Sequence, residues 1–225
     1  MTCGEEPCSF AHPANPDDVL DSMTNDQYEK DKFLPYWAQQ WPACSPLFDY
    51  FSSEADLLTL RYDSICEIGC GLGILSTLFQ MKKVSAVVAT DFAFDACRYT
   101  AYNMRQYSPS PLVVCSDWRF PPFRAKFDCI VGSDILYEQR WISPVLDFLK
   151  STLKSDGACY IADPCRQWWE EFQDKAVSLG FTLSKVRQDI VNQGKTTVEI
   201  VRLDLKKAQR PHRGKAPAWS ARTRD

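Results

Sequence analysis

The chain has 225 residues, enough for one domain with a sizeable core, and its 45% hydrophobic content is ordinary for a globular protein. No run of about 18 apolar residues occurs, so no membrane span is expected, and the polar, acidic start is unlike an export signal. Its ten cysteines then read as reduced thiols of a cytoplasmic protein.

Net charge is only -3, but it is unevenly spread: residues 1–31 hold eight acids and one base, and residues 206–225 hold seven bases and one acid. A domain over residues 32–205 is therefore expected between an acidic flexible segment (1–31) and a basic flexible tail (206–225). The tails either attract each other as solvated segments, or the basic one helps hold an acidic partner or RNA. No Cys-x-x-Cys occurs, and His12 and His212 lie in the termini, so no metal site is expected.

The first dense stretch, residues 33–51, packs seven aromatics into nineteen positions. Pro46 suits the first turn of a helix running to about Leu57. Trp37 and Trp41 precede it; either indole could cover a ligand or cap the sheet as core. Ile65 to Ile68 is a short apolar run without Gly or Pro, as a buried strand should be. It ends in Gly69, Gly71 and Gly73 at alternate positions, then a helix from Leu72 to about Lys82 and a second strand, Ala86 to Ala89. Asp91 follows, 18 positions after Gly73, where the second strand of a parallel sheet places an acid against ribose hydroxyls.

A strand that turns through glycines into a helix is a nucleotide cradle. A dinucleotide binder needs Gly-x-Gly-x-x-Gly so that a bare helix N-terminus meets pyrophosphate. Here the spacing is Gly-x-Gly-x-Gly, and Glu67 stands two residues ahead of the first glycine. A carboxylate there repels a diphosphate and suits the ammonium or sulfonium of S-adenosylmethionine (SAM), so SAM is the expected cofactor.

Phe92 to Tyr107 reads as a helix, within which Asn103 could simply be solvated. Leu112 to Cys115 is strand three and stops at Ser116-Asp117-Trp118. Asp117 there could accept from an adenine amine and Trp118 could stack, or Asp117 is an ordinary turn residue. Strand four, Phe127 to Val131, leads to Gly-Ser-Asp-Ile-Leu-Tyr-Glu, placing Asp134, Tyr137 and Glu138 beyond its carboxyl end. Ligands of open parallel sheets bind there, so these three are the candidates for holding or deprotonating a substrate. A helix over 143–153 and strand five, Ala158 to Ala162, end at Asp163-Pro164-Cys165-Arg166. A helix over 168–179 and a hairpin of 181–188 with 196–203 close the chain. The expected fold is α/β: a seven-stranded doubly wound Rossmann-like sheet, mostly parallel, with a C-terminal antiparallel hairpin.

Several separated segments, Trp-Ala-Gln-Gln-Trp-Pro-Ala, Glu-Ile-Gly-Cys-Gly-Leu-Gly, Ala-Thr-Asp, Ser-Asp-Trp-Arg, Gly-Ser-Asp-Ile-Leu-Tyr-Glu and Ala-Asp-Pro-Cys-Arg, resemble class I SAM-dependent methyltransferases of the methyltransferase-like lysine group. The branch of closest resemblance is the electron transfer flavoprotein β-subunit lysine methyltransferase with its bacterial relatives, some labelled nicotinamide N-methylase. The likeness spans about residues 33–190. It implies that Glu67, Gly69, Gly71 and Gly73 line the methionine and ribose of SAM, and that Asp91 holds the ribose. It implies further that Asp117 and Trp118 flank adenine, that Trp41 closes the pocket, and that Asp134 and Tyr137, with Glu138 beside them, face the substrate. A protein lysine is then the expected acceptor and a monomer the expected state, with neither membrane nor nucleic acid as partner. A small-molecule N-methyltransferase and a catalytically silent SAM-binding module are the alternatives. Asp134→Ala is expected to remove most turnover while leaving SAM affinity within a few fold.

Overall fold

The computed structural model describes residues 2–3, 6–22, 24, 34–53 and 61–206. The basic tail from residue 207 and the far end of the helix expected to reach Leu57 lie outside these residues. Seven strands form one sheet: β1 (Ser64–Ile68), β2 (Ala86–Asp91), β3 (Leu112–Cys115), β4 (Phe127–Ser133), β5 (Leu153–Asp163), β6 (Phe181–Val191) and β7 (Thr196–Leu205). Their order is β3-β2-β1-β4-β5-β7-β6; the first five run parallel, and β7 pairs antiparallel with both β5 and β6. This is the mostly parallel sheet with an antiparallel C-terminal hairpin that the sequence leads one to expect.

The central strands of the sheet are buried on both faces, and their sequences show why. Along β5, Ala158, Tyr160 and Ala162 point to one apolar cluster while Cys159 and Ile161 point to the other, the period of two that a strand imposes. The first cluster takes Leu47, Phe48 and Phe51 of α1 (Cys44–Ser53) and Leu75, Leu78 and Phe79 of α2 (Ile74–Met81). It also takes Ala96 and Met104 of α3 (Phe94–Met104). The second takes Val145, Leu146, Phe148 and Leu149 of α4 (Ile142–Thr152) and Phe172 and Ala176 of α5 (Trp169–Ser178). Helices on two faces of one parallel sheet make the doubly wound layering. Cys66, Cys129 and Cys159 are fully buried in central strands, where burial pushes their thiols up.

Element ends differ from expectation for identifiable reasons. Helix α2 starts at Ile74 rather than Leu72 because Gly73, at φ 71°, is its left-handed cap. Helix α1 starts two residues ahead of Pro46, which fits within a first turn whose N–H groups have no intrahelical acceptor. Strand β5 begins at Leu153, not Ala158, because Leu153 pairs with Phe127 before the register shifts. A Cβ at Gly157 would come within 2.8 Å of Asp128 O, so the side-chain-free residue lets the two backbones meet there. Among the described residues no helix is long and apolar enough to cross a membrane.

Candidate active site

After β3 the chain crosses back over the sheet to β4, so β1 and β4 lie side by side while their following segments diverge. A cavity of about 560 Å³ opens at the carboxyl ends of the strands at this switch point. Of the residues singled out in the sequence, Trp41, Glu67, Gly69, Gly71, Asp91, Asp117, Trp118, Asp134 and Tyr137 line it; Gly73 and Glu138 do not.

Glu67, near the end of β1, is 3% exposed and accepts from the N–H (2.8 Å) and the hydroxyl (2.5 Å) of Ser76 in the first turn of α2. Burial pushes its carboxyl up to about 7 against the pull of the Ser76 donors, and Asp91 adds repulsion. Among the described residues no cationic side chain bonds to it. A buried carboxylate held only by neutral donors is short of a counter-charge, and a cation entering the cavity would supply it.

Asp91 closes β2 and takes the Gly71 N–H on Oδ2 and the Ala93 N–H on Oδ1, both at 2.9 Å. It therefore shapes the glycine loop as well as facing the cavity. Burial raises its carboxyl too, with the Ala93 and Gly71 bonds opposing. Gly73 lies just off the cavity lining: its hypothetical Cβ would lie 2.5 Å from Thr100 Cγ2, so its bare backbone lets the loop settle on α3. Thr100 in turn donates to Gly71 O at 3.0 Å.

Asn103 is not solvated. Its amide is fully buried, donates to Leu72 O (2.8 Å) and Ala11 O (3.0 Å), and accepts from Ala11 N (2.7 Å). Its place three residues after Thr100, on the buried stripe of α3, is the signal that sequence reading passed over. Through it residues near Ala11 are docked against the body, where Cys8 also packs beside Met81.

Beyond β3, both Asp117 oxygens are engaged by Arg119: Nε reaches them at 3.0 and 2.9 Å, and Nη2 reaches Oδ2 at 2.5 Å. These bonds lower its carboxyl, which stays a charged acceptor at the cavity wall. Trp118 stands edge-on to Trp141 with ring centroids 5.5 Å apart. Of the two early indoles, Trp37 also lines the cavity but is largely buried in the core, against Tyr99 at 5.5 Å. Trp41 is half-buried, its Nε1 donating to Tyr36 O at 2.6 Å and its ring edge-on to Tyr36 at 5.6 Å. Tyr36 continues to Tyr137 at 5.1 Å, and Tyr137 to Trp141 at 6.3 Å, so aromatic rings run unbroken along one wall.

Asp134 follows β4 at φ 59°, a backbone conformation that few residues other than glycine adopt. Oδ1 accepts from Arg166 Nη2 at 2.8 Å and Oδ2 from the Ala43 N–H at 2.9 Å. Burial raises its carboxyl to about 6, with Arg166 opposing. Burial also raises the Tyr137 phenol. Glu138 pairs with Arg140 at 2.8 Å instead of entering the cavity. Arg166, quoted in the sequence motif without a role, lines the cavity and links Asp134 to Asp163.

A family profile described as a methyltransferase domain matches residues 30–210. The chain belongs to this family. As a SAM-dependent methyltransferase it has fold neighbours of low sequence identity. The N-methyltransferase NodS from Bradyrhizobium japonicum, solved with S-adenosyl-L-homocysteine (SAH), superposes with a TM-score of 0.61 at 15% identity, covering 86% of this chain and 100% of that one. A putative RNA methyltransferase from Pyrococcus horikoshii gives 0.60 at 17%, covering 86% and 96%. In sequence, the histidine protein methyltransferase 1 homolog of Dictyostelium discoideum is 27% identical over 135 residues, 54% of this chain and 41% of that protein. This methyltransferase thus matches about two-fifths of that relative's length. The residues present fit SAM: a glycine loop lining the cavity at Gly69 and Gly71, a buried acid bonded only by neutral donors at Glu67, and an acid at the end of β2. Among the described residues no cluster of metal-ligating side chains occurs.

Proposed function

We propose that this methyltransferase transfers a methyl group to a protein side-chain nitrogen, with lysine as the acceptor. The observation that carries the reading is the aromatic wall of Tyr36, Trp41, Tyr137 and Trp141 in the same cavity as the buried Asp134. Rings admit an aliphatic stem and attract a cationic head, and a nearby acid selects an amine.

SAM supplies the electrophilic methyl on its sulfonium. Glu67 would hold its ammonium and Asp91 its ribose, with Asp117 and Trp118 on the adenine side and Trp41 as the cover. The acceptor's lone pair must lie in line with the methyl, so the remaining work is alignment and exclusion of water. Making a lysine neutral at pH 7 costs about 4.6 kcal/mol, from a reference pKa near 10.4. Burial beside the sulfonium lowers that cost by disfavouring the ammonium. Tyr137 and Asp134 orient the amine. Since Glu138 stands outside the cavity, the proton leaves to water at the mouth.

Histidine is the second reading, favoured by the name of the Dictyostelium discoideum relative and by chemistry: an imidazole, pKa near 6.5, is already largely neutral at pH 7. One experiment decides. A cell extract is treated with the protein and methyl-labelled SAM, and labelled protein bands are hydrolysed to amino acids. Methyl-lysine is the expected product and methyl-histidine the second reading. Label confined to RNA or to the acid-soluble fraction would overturn the proposal, and SAM binding without any product would mark a silent binding module.

A further inference from the structure

Two buried carboxylates, from the ends of β4 and β5, share one guanidinium. Arg166 gives Nη2 to Asp134 Oδ1 at 2.8 Å and Nη1 to Asp163 Oδ2 at 2.9 Å, and its own N–H goes to Asp163 Oδ1 at 2.7 Å. Asp163 is fully buried, and the Arg166 side chain is only 23% exposed. Asp134 is fixed from a third side, its N–H donating to Ala162 O at 3.0 Å. What remains of Asp134 is Oδ2, and that oxygen takes the backbone N–H of Ala43, 91 positions earlier.

Ala43 ends the segment that begins at Tyr36 and carries Trp41. The segment holds its own shape: Trp41 Nε1 bonds Tyr36 O, and Cys44 N bonds Trp41 O at 3.2 Å. We infer that Arg166 is a positioning residue for the cofactor cavity: by fixing Asp134 it presents Oδ2 to Ala43, and so seats the Trp41 segment as the cavity's cover. The energetic reason lies in burial. An acceptor oxygen in the interior keeps its charge and its aim only while a cation and further donors satisfy it, and a hydrogen bond to a charged group is stronger than a neutral one. Arg166 supplies that cation from the end of β5, out of sequence reach of both Ala43 and the glycine loop. The inference rests on the SAM-binding half of the proposed function and is independent of the acceptor.

It also alters the expectation for Asp134→Ala. With Oδ2 gone, the cover loosens, and cofactor affinity falls together with turnover.

The test is a double-mutant cycle on SAH affinity, measured by calorimetry on the full chain. Arg166→Met keeps an unbranched stem and removes the guanidinium with its charge; Ala43→Pro deletes one amide donor and leaves the buried ions in place. Each variant is expected to weaken SAH about tenfold, the lower end of what a charge-assisted bond contributes. The double variant should lose about the same tenfold, because both changes break one connection. Arg166→Lys should recover part of the loss, and the Ala43 amide resonance should shift in Arg166→Met. A hundredfold loss in the double variant, or wild-type affinity in either single variant, would overturn the inference. Should Arg166→Met not fold, Arg166→Lys takes its place in the cycle: a loss of SAH affinity to which Ala43→Pro adds nothing supports the inference, and additive losses or wild-type affinity in Arg166→Lys refute it. Absence of SAH binding by the wild type would instead count against the proposed function.

Discussion

Binding of SAM should expel a proton from Glu67. With its carboxyl at about 7, Glu67 is roughly half protonated at pH 7, yet a cationic ligand needs it ionised. Complex formation at pH 7 should thus release about half a proton. Calorimetry in buffers of different ionisation enthalpy reads that number directly. The ionised fraction falls to about one-tenth at pH 6, so apparent affinity should weaken about fivefold from pH 7 to 6 and level off above pH 8. Removing the Ser76 hydroxyl, as in Ser76→Ala, should move the profile to higher pH, since its bond helps hold the carboxyl down. Glu67→Gln should flatten the profile and weaken SAM about tenfold or more. The same group shapes the stability of the ligand-free protein. The unfolded chain ionises Glu67 from about 4.5 and the folded chain only from about 7, so between them the folded state binds more protons. Stability accordingly falls as pH rises through that window, by about 3 kcal/mol from this group, and Glu67→Gln should remove that share while leaving the part due to Asp134, whose carboxyl burial raises to about 6. Observed enthalpies identical in all buffers at pH 7 would refute the reasoning.

Gly73→Ala should lower stability by about 2–5 kcal/mol, adding a left-handed-backbone penalty to overpacking against Thr100, and a urea denaturation midpoint checks it. Tyr137→Phe should cut turnover about tenfold, the loss of one hydrogen bond, while SAH affinity by calorimetry stays within about threefold. Glu138→Gln, outside the cavity and paired with the part-exposed Arg140, should leave turnover within about twofold. A tenfold drop would return Glu138 to the reaction.

The half of the site built from β1, the glycine loop and β2 was legible because its parts are neighbours in sequence. Glu67, Gly69, Gly71 and Asp91 sit on one strand-turn-helix-strand unit whose geometry is nearly fixed by composition. The other half is assembled by tertiary contact. Nothing near Arg166 in sequence shows that its partners are Asp134, 32 positions away, and through it the amide of Ala43. Glu138 misled because it follows a useful tyrosine: the chain there is extended, at φ -138° and ψ 144°, so successive side chains point to opposite sides. Gly73 looked like its two companions, and only tertiary placement distinguishes them: Gly69 packs against Ile135 yet lines the cavity, whereas Gly73 packs against Thr100 away from it. The longer β5 was hidden because Asp156-Gly157 has the composition of a turn, whereas the backbone there continues beside Asp128.

The buried amide of Asn103 joins two things that chain order keeps apart, the backbone at Ala11 and the rim of the donor's cradle at Leu72. Thermodynamic reciprocity then applies: whatever factor the docked leader adds to donor affinity, the donor must add to the leader's own attachment. A protease that nicks ahead of Asn15 would therefore read that factor, as the ratio of cleavage rates with the site empty and filled.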